Sequence, residues 1–157
     1  MQSEGDPIIR VTILTASQSG TALHVAEALK ERIEGVERYH VTLIEEGDLP
    51  DLSFTETEVL LMVISTHGEG EVPDPFLSTY GALLAAQPDL SGLRYGVVAL
   101  GDTTYHQTFC GAGRLLDSVV TQFGATRVGD RCEIDASSQP FADEDALAWL
   151  EDWLVQL

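Results

Sequence analysis

Three short apolar runs stand out along the chain, at residues 8–14 (IIRVTIL), 59–64 (VLLMVI) and 97–100 (VVAL). The second and third runs are apolar at every position rather than at alternate positions. This pattern is typical of strands that are covered on both faces, as in a parallel sheet. Residues 39–44 and 126–134 carry a weaker strand pattern. We therefore predict a parallel sheet packed between helices.

Between and after these runs the apolar positions return with the period of a helix. Four such stripes are visible: Ala22, Val25, Ala26, Leu29 and Ile33; Phe76, Tyr80, Leu83 and Leu84; Leu115, Leu116, Val119, Val120 and Phe123; and Ala146, Leu147, Leu150, Trp153 and Leu154. Gly124 suits a helix stop, and the acidic residues at 143–145 suit a helix N-terminus. The alternation of strand and helix predicts one doubly wound α/β domain over residues 1–157.

The composition fits a globular domain with an unusual charge. The chain has 157 residues, of which 44% are hydrophobic, and a formal net charge of −18. Such a charge repels nucleic-acid phosphates and anionic membranes, so neither is expected as a partner. It attracts basic protein surfaces, and it also suits a salty environment. Composition alone leaves docking and salt tolerance open.

The cysteines and the N-terminus indicate a cytoplasmic protein. Cys110 and Cys132 are too few for a disulfide framework or a metal quartet, so we expect free, buried thiols and no metal site. Residues 1–7 are polar and acidic, unlike a signal peptide. No apolar run approaches the ~18 residues that a membrane span needs.

The loop after the first strand reads TASQSGTA at residues 15–22. Hydroxyls, backbone N–H groups and the positive end of a helix dipole together suit a phosphate. A P-loop would need Gly-Lys-Ser/Thr and a dinucleotide site would need Gly-x-Gly-x-x-Gly, and the loop has neither. The alternative is that Ser17, Ser19 and Thr21 form only a turn and a helix cap.

Two further loops should leave the same edge of the sheet, where ligands of open α/β sheets bind. One contains STHGEG at residues 65–70, and its glycines permit close backbone approach to a flat ligand. The other contains LGDTTYHQTFC at residues 100–110. His67 offers a ring that can lie near such a ligand, although a lone histidine beside glycines is more often structural. An aromatic such as Tyr105 is normally a packing residue, but its place at the same sheet end as the hydroxyl loop favours stacking on a ligand. A phosphate at the first loop and a planar ring between the other two predict FMN.

These three motifs, in this order, resemble the flavodoxin family, in particular the MioC type of small FMN protein, and are similar to the FMN domains of diflavin reductases. The resemblance implies a flavodoxin-like five-stranded parallel sheet of order 2-1-3-4-5, of the short-chain type. It implies that FMN is bound by Ser17, Gln18, Ser19, Gly20, Thr21, Ala22, Ser65, Thr66, His67, Gly68, Glu69, Leu100, Gly101, Asp102, Thr103, Thr104, Tyr105, Phe109 and Cys110.

Within that set the resemblance also implies roles. Residues 17–22 hold the phosphate without a cation, Tyr105 stacks on one face of the isoalloxazine, and His67 covers the other. The peptide between Gly68 and Glu69 lies beside flavin N5. Asp135 corresponds to a late acidic contact near the flavin.

The resemblance implies an electron carrier and not an enzyme. Its donor would be a flavodoxin/ferredoxin-NADP reductase, and its acceptor an unidentified enzyme, for which a biotin synthase-like protein is one candidate. The loop carboxylates Glu69, Glu71, Asp74 and Asp102 would rim the site and could dock a basic patch of such a partner.

Three other functions compete with this one. A phospho-receiver domain needs a carboxylate at the end of the first strand and a late lysine, whereas the chain's single lysine is Lys30. An NAD(P)H-dependent flavin or quinone reductase of the same fold remains the main enzymatic alternative. An acidic interaction module without a cofactor is the third.

Overall fold

The computed structural model describes residues 8–16, 21–44, 58–65, 81, 84–85, 87–101, 111–135 and 141–157. In chain order the elements are β1 (Ile9–Ala16), α1 (Thr21–Glu34), β2 (Tyr39–Ile44), β3 (Val59–Ser65), β4 (Arg94–Gly101), α2 (Gly111–Gln122), β5 (Thr126–Arg127), β6 (Cys132–Asp135) and α3 (Ala142–Gln156). Residues 81, 84 and 85 are also helical. No helix in the described part of the chain is long and apolar enough to cross a membrane.

The sheet is parallel and has the order β2-β1-β3-β4-β5, with β6 also paired to β4. This confirms the predicted order 2-1-3-4-5. The fifth position, however, is divided. β5 pairs with the first residues of β4, Arg94 and Tyr95, whereas β6 pairs with the last four, from Val98 to Gly101.

The predicted strand over 126–134 is therefore two short strands. Val128 still donates a backbone hydrogen bond to Tyr95, but Gly129 follows with a φ of +70°. A left-handed residue turns the chain out of the extended conformation and is tolerated because glycine lacks a Cβ atom. The chain returns to β4 at Cys132.

Helices cover both faces of the sheet. One apolar cluster joins α1 and α3 to one face, and a second joins α2 to the other. The α1 stripe predicted from the sequence is fully buried in the first cluster, and so are Ala146, Leu150 and Trp153 of α3. Acidic residues do occupy the first turn of α3.

The end of α2 also follows the prediction. The helix stops at Gln122, and Gly124 adopts a φ of +103°. The N–H of Ala125 then donates to the carbonyl of Val120 at 3.0 Å, which satisfies one of the last carbonyls of the helix.

Two of the predicted helical stripes each contain a leucine that is partly exposed. Leu115 belongs to the third stripe, which does form a helix, but its side chain is 38% exposed. Periodicity identifies the apolar face of a helix but not how far its neighbours cover that face. In the second stripe Leu84 is also 38% exposed, while positions 76, 80 and 83 lie outside the described residues.

Candidate functional site

The carboxyl ends of β1, β3 and β4 meet at one edge of the sheet. Ala16 at the end of β1 pairs with Ile64, and Ser65 at the end of β3 pairs with Leu100. Neighbouring strands in a sheet lie about 4.8 Å apart. The three loops that the sequence motifs selected therefore start side by side. We call this part of the molecule the carboxyl edge.

The first of these loops joins β1 to α1. Residues 17–20 lie outside the described residues, so the roles predicted for Ser17, Gln18, Ser19 and Gly20 stay predictions. Thr21 begins α1, and Ala22 is fully buried in its first turn. The first turn of α1 has no acidic side chain. The free N–H groups and the dipole at a helix start favour an anion at this place.

Directly before this loop the structure adds a residue that the predicted site omits. Thr15, which the sequence pattern placed in the loop, belongs to β1 and is only 2% exposed. Its Oγ1 atom has no hydrogen-bond partner among the described residues. The signal in the sequence was a hydroxyl side chain at the end of a strand whose other positions on the same face, Ile9, Val11 and Ile13, are apolar. An unsatisfied buried hydroxyl beside a helix start fits a phosphate-bearing ligand.

The second and third loops are described only at their ends. The register places Ser65 next to Leu100, and Gly101 ends β4. Leu100 is 5% exposed and lies in the core, so of its groups only the backbone is suited to meet a ligand. The remaining predicted site residues lie outside the described residues: Thr66, His67, Gly68, Glu69, Asp102, Thr103, Thr104, Tyr105, Phe109 and Cys110.

Asp135 lies at the same edge. It is the last residue of β6 and pairs with Gly101, the residue from which the third loop departs. A carboxylate at this place agrees with the position expected for a late acidic contact. Whether Asp135 approaches a flavin stays a prediction.

Cys132, at the start of β6, is a free and half-buried thiol. Burial, together with the negative charges of Asp145 and Glu133, raises its pKa to about 12. The thiol is therefore protonated at neutral pH. Because the thiolate is the nucleophilic form of cysteine, Cys132 is not suited to covalent catalysis.

An ion-pair ladder ties α2 to the divided fifth strand. Arg114 near the start of α2 makes two hydrogen bonds to Glu133, at 2.6 and 2.9 Å, and Arg131 makes a third at 3.0 Å. The hydrogen bond from Arg114 is the main reason that the pKa of Glu133 is lowered; burial opposes it, and Arg131 adds to it. Arg114 lies in the first turn of α2, so the ladder holds the helix that receives the third loop.

The ladder continues to a buried carboxylate. Arg131 and Arg127 both donate to Oδ2 of Asp117 at 2.6 Å, and the hydroxyl of Tyr95 donates to Oδ1. This network was not anticipated from the sequence. An aspartate in the apolar register of a helix is its only signal, and the partners of Asp117 are 10 to 22 residues away.

Comparisons with known proteins agree with this fold. The sequence model of the flavodoxin family matches residues 13–149. Flavodoxin YqcA of Pectobacterium carotovorum is 34% identical over 92% of this chain and 94% of its own length. Protein MioC of Escherichia coli K12 is 34% identical over 92% of this chain and 95% of its own length.

A larger flavoprotein and a solved structure are also similar. The NADPH sulfite reductase flavoprotein alpha-component of Cronobacter sakazakii is 35% identical over 90% of this chain, but the chain spans only 24% of that protein. A cysteine-to-alanine mutant of flavodoxin from Pseudomonas aeruginosa superimposes with a TM-score of 0.86 at 31% identity, covering 95% of this chain and 99% of its own.

Fold and edge together define an open α/β protein, a class in which ligands bind at the carboxyl ends of the parallel strands. The comparisons then make the assignment specific. The chain belongs to the flavodoxin family.

Proposed function

We propose that this chain binds one FMN at its carboxyl edge and carries single electrons between two partner proteins, without a substrate of its own. The observation that carries the proposal is the register of β1, β3 and β4, which starts the three predicted flavin loops side by side. Membership of the flavodoxin family supports FMN as the cofactor and electron transfer as the role. Flavodoxin YqcA and protein MioC, which the chain matches over nearly their whole length, support the same role.

FMN supplies the one-electron chemistry when it is bound. The task of the protein is to hold and shield it. Residues 17–22 and the start of α1 bind the phosphate through hydroxyl and amide groups. Tyr105 and His67 enclose the ring, with residues 65–69 and 100–104 along its edges. Phe109 and Cys110 complete the third loop before α2 begins.

The partners are proposed at the level of their chemistry. The donor is a reductase of the flavodoxin/ferredoxin-NADP type, because the chain contains no Gly-x-Gly-x-x-Gly fingerprint for a nicotinamide cofactor. The acceptor is a separate redox enzyme with a basic surface around its own cofactor, since this chain carries a net charge of −18. The similarity to a segment of an NADPH-linked flavoprotein supports an origin of the electrons in NADPH.

A reconstitution experiment tests this function. We expect the apoprotein to take up one equivalent of FMN, as monitored by the quenching of flavin fluorescence. The purified complex should oxidise NADPH or NADH only after a flavodoxin reductase is added. Failure to bind FMN would refute the proposal. Rapid oxidation of NAD(P)H by the complex alone would favour the flavin or quinone reductase alternative.

A further inference from the structure

Two polar side chains are buried in the described part of the chain, and only one of them is hydrogen-bonded. Asp117, at 3% exposure, is hydrogen-bonded to Tyr95, Arg127 and Arg131. Thr15, at 2% exposure, has no partner for its hydroxyl among the described residues. A buried donor without a partner keeps the full cost of its desolvation, and a residue of the same shape without the hydroxyl would avoid that cost.

The position of Thr15 in the fold indicates a function for its buried hydroxyl. Strand side chains alternate between faces, so Thr15 shares the face of Val11 and Ile13, which pack in the cluster that contains α1. It pairs with Val63 and stands one residue before the end of β1. It therefore lies at the end of the strand from which the phosphate-binding loop departs, on the side where α1 begins.

The other unsatisfied buried group has no space beside it for a ligand atom. Nε1 of Trp153 also lacks a partner among the residues described, but it is pressed against β4. A Cβ atom placed on Gly96 would lie 2.5 Å from it, so no ligand atom fits between them. Of the two unsatisfied polar groups, the hydroxyl of Thr15 is thus the one that lies next to a predicted ligand site.

We propose that the hydroxyl of Thr15 donates a hydrogen bond to the phosphate of FMN and so contributes to the selection of FMN over riboflavin. A phosphate ester at neutral pH presents acceptor oxygens, and a hydroxyl can serve it as a donor. Because the acceptor is charged and the site is removed from water, this bond is stronger than an ordinary one. The proposal rests on the proposed function, since it assumes FMN at the carboxyl edge.

The test compares Thr15→Val with Thr15→Ser and with the control Thr12→Val on the same strand. For each apoprotein we would measure the midpoint of thermal unfolding and the Kd for FMN and for riboflavin. Thr15→Val should leave the midpoint unchanged or raise it, because the unsatisfied hydroxyl is gone. Its Kd for FMN should rise roughly 10- to 100-fold, the range for one hydrogen bond to a charged group, with no change for riboflavin.

The remaining variants separate the hydroxyl from the strand. Thr15→Ser keeps the donor and should keep the preference of the wild type for FMN, as should Thr12→Val. The proposal is overturned if Thr15→Val weakens both flavins equally, or if it lowers the unfolding midpoint and leaves the ratio of the two Kd values unchanged. If the wild type binds neither flavin, the proposed function fails first, and the role of Thr15 fails with it.

Discussion

At the scale of single residues, Asp117 shows how this acidic protein keeps one carboxylate inside. Burial alone would raise the pKa of Asp117, but hydrogen bonds from Tyr95, Arg131 and Arg127 outweigh it and hold the pKa below its usual value. The same arrangement raises the pKa of Tyr95 to about 12, through burial first and the bond to Asp117 second. The stability contributed by Asp117 is therefore present above the pKa of an unfolded aspartate, about 3.9, and is lost as the pH falls through the lower folded value.

Replacing Asp117 by Asn should destabilise the protein and remove this pH dependence. We expect a loss of about 3 kcal/mol at pH 7, the low end for a broken buried ion pair, because both arginines also reach water. Urea unfolding between pH 3 and pH 7 measures it. The gap between wild type and variant should be constant above about pH 5 and should narrow as the pH falls below about 4 toward the lower folded pKa of Asp117.

The matched control for this prediction is the exposed pair of Lys30 and Glu34 on α1, whose charged atoms lie 3.3 Å apart. Glu34→Gln should change the stability by less than about 0.5 kcal/mol. An effect of Asp117→Asn as small as that of the control would show that the buried network contributes nothing measurable.

At the scale of elements, the close packing of α3 on β4 depends on a glycine in β4. Trp149 and Trp153 stack at 5.6 Å between ring centroids, and both rings lie over Gly96. A Cβ atom there would meet Cε2 of Trp153 at 2.7 Å as well as its Nε1. Neither the strand backbone nor a fully buried indole can move away cheaply, since protein interiors are close-packed. Gly96 is required for helix and sheet to approach.

The variant Gly96→Ala should therefore lose about 1–3 kcal/mol through overpacking. Gly92→Ala is the control, because a Cβ atom at Gly92 would meet nothing within 4 Å. Combining Gly96→Ala with Trp153→Leu should cost less than the sum of the two single variants, as measured by denaturant unfolding. Strictly additive losses would mean that the clash with Trp153 is not the cause.

At the scale of the whole molecule, several arginines lie at the edge of the sheet opposite the carboxyl edge. The amino ends of parallel strands gather at one edge, and Arg10, Arg38, Arg94 and Arg127 all lie at or next to such ends. Arg114 lies nearer to the carboxyl edge but is bound to Glu133. Glu37 and Glu58 lie next to the same strand ends, so the orientation of a basic partner depends on the loop carboxylates predicted at the carboxyl edge.

This orientation is testable through the loop carboxylates. The triple variant Glu69→Gln, Glu71→Gln, Asp74→Asn should slow reduction by the partner reductase and flatten its dependence on salt. A control with the same change of charge is Glu27→Gln, Glu31→Gln, Glu37→Gln, at exposed positions on and just after α1. Stopped-flow reduction at several ionic strengths measures both. Equal slopes for the two variants would favour salt tolerance, and not docking, as the purpose of the acidic surface.

The sequence predicted the fold well where burial is repetitive. Val59–Ser65 and the α1 stripe are apolar at nearly every position that faces the core, so the strand, the helix and their packing followed from periodicity. The side-by-side start of the three predicted loops followed too, because parallel strands end together. Thr15 and Asp117 could not be predicted in the same way. Each differs from its apolar neighbours by one polar group, and its role depends on partners that are distant in the chain or belong to a ligand.

The divided fifth strand has a consequence for self-association. Long, regular edge strands can pair with strands from other molecules, which is a first step toward fibres. Here β5 has only two residues, and Gly129 turns the chain away before β6 begins. The β5/β6 edge therefore offers no continuous row of backbone hydrogen-bonding groups. In the described part of the chain, β2, with six residues, is the longer edge strand. Aggregation by strand addition would therefore start at β2.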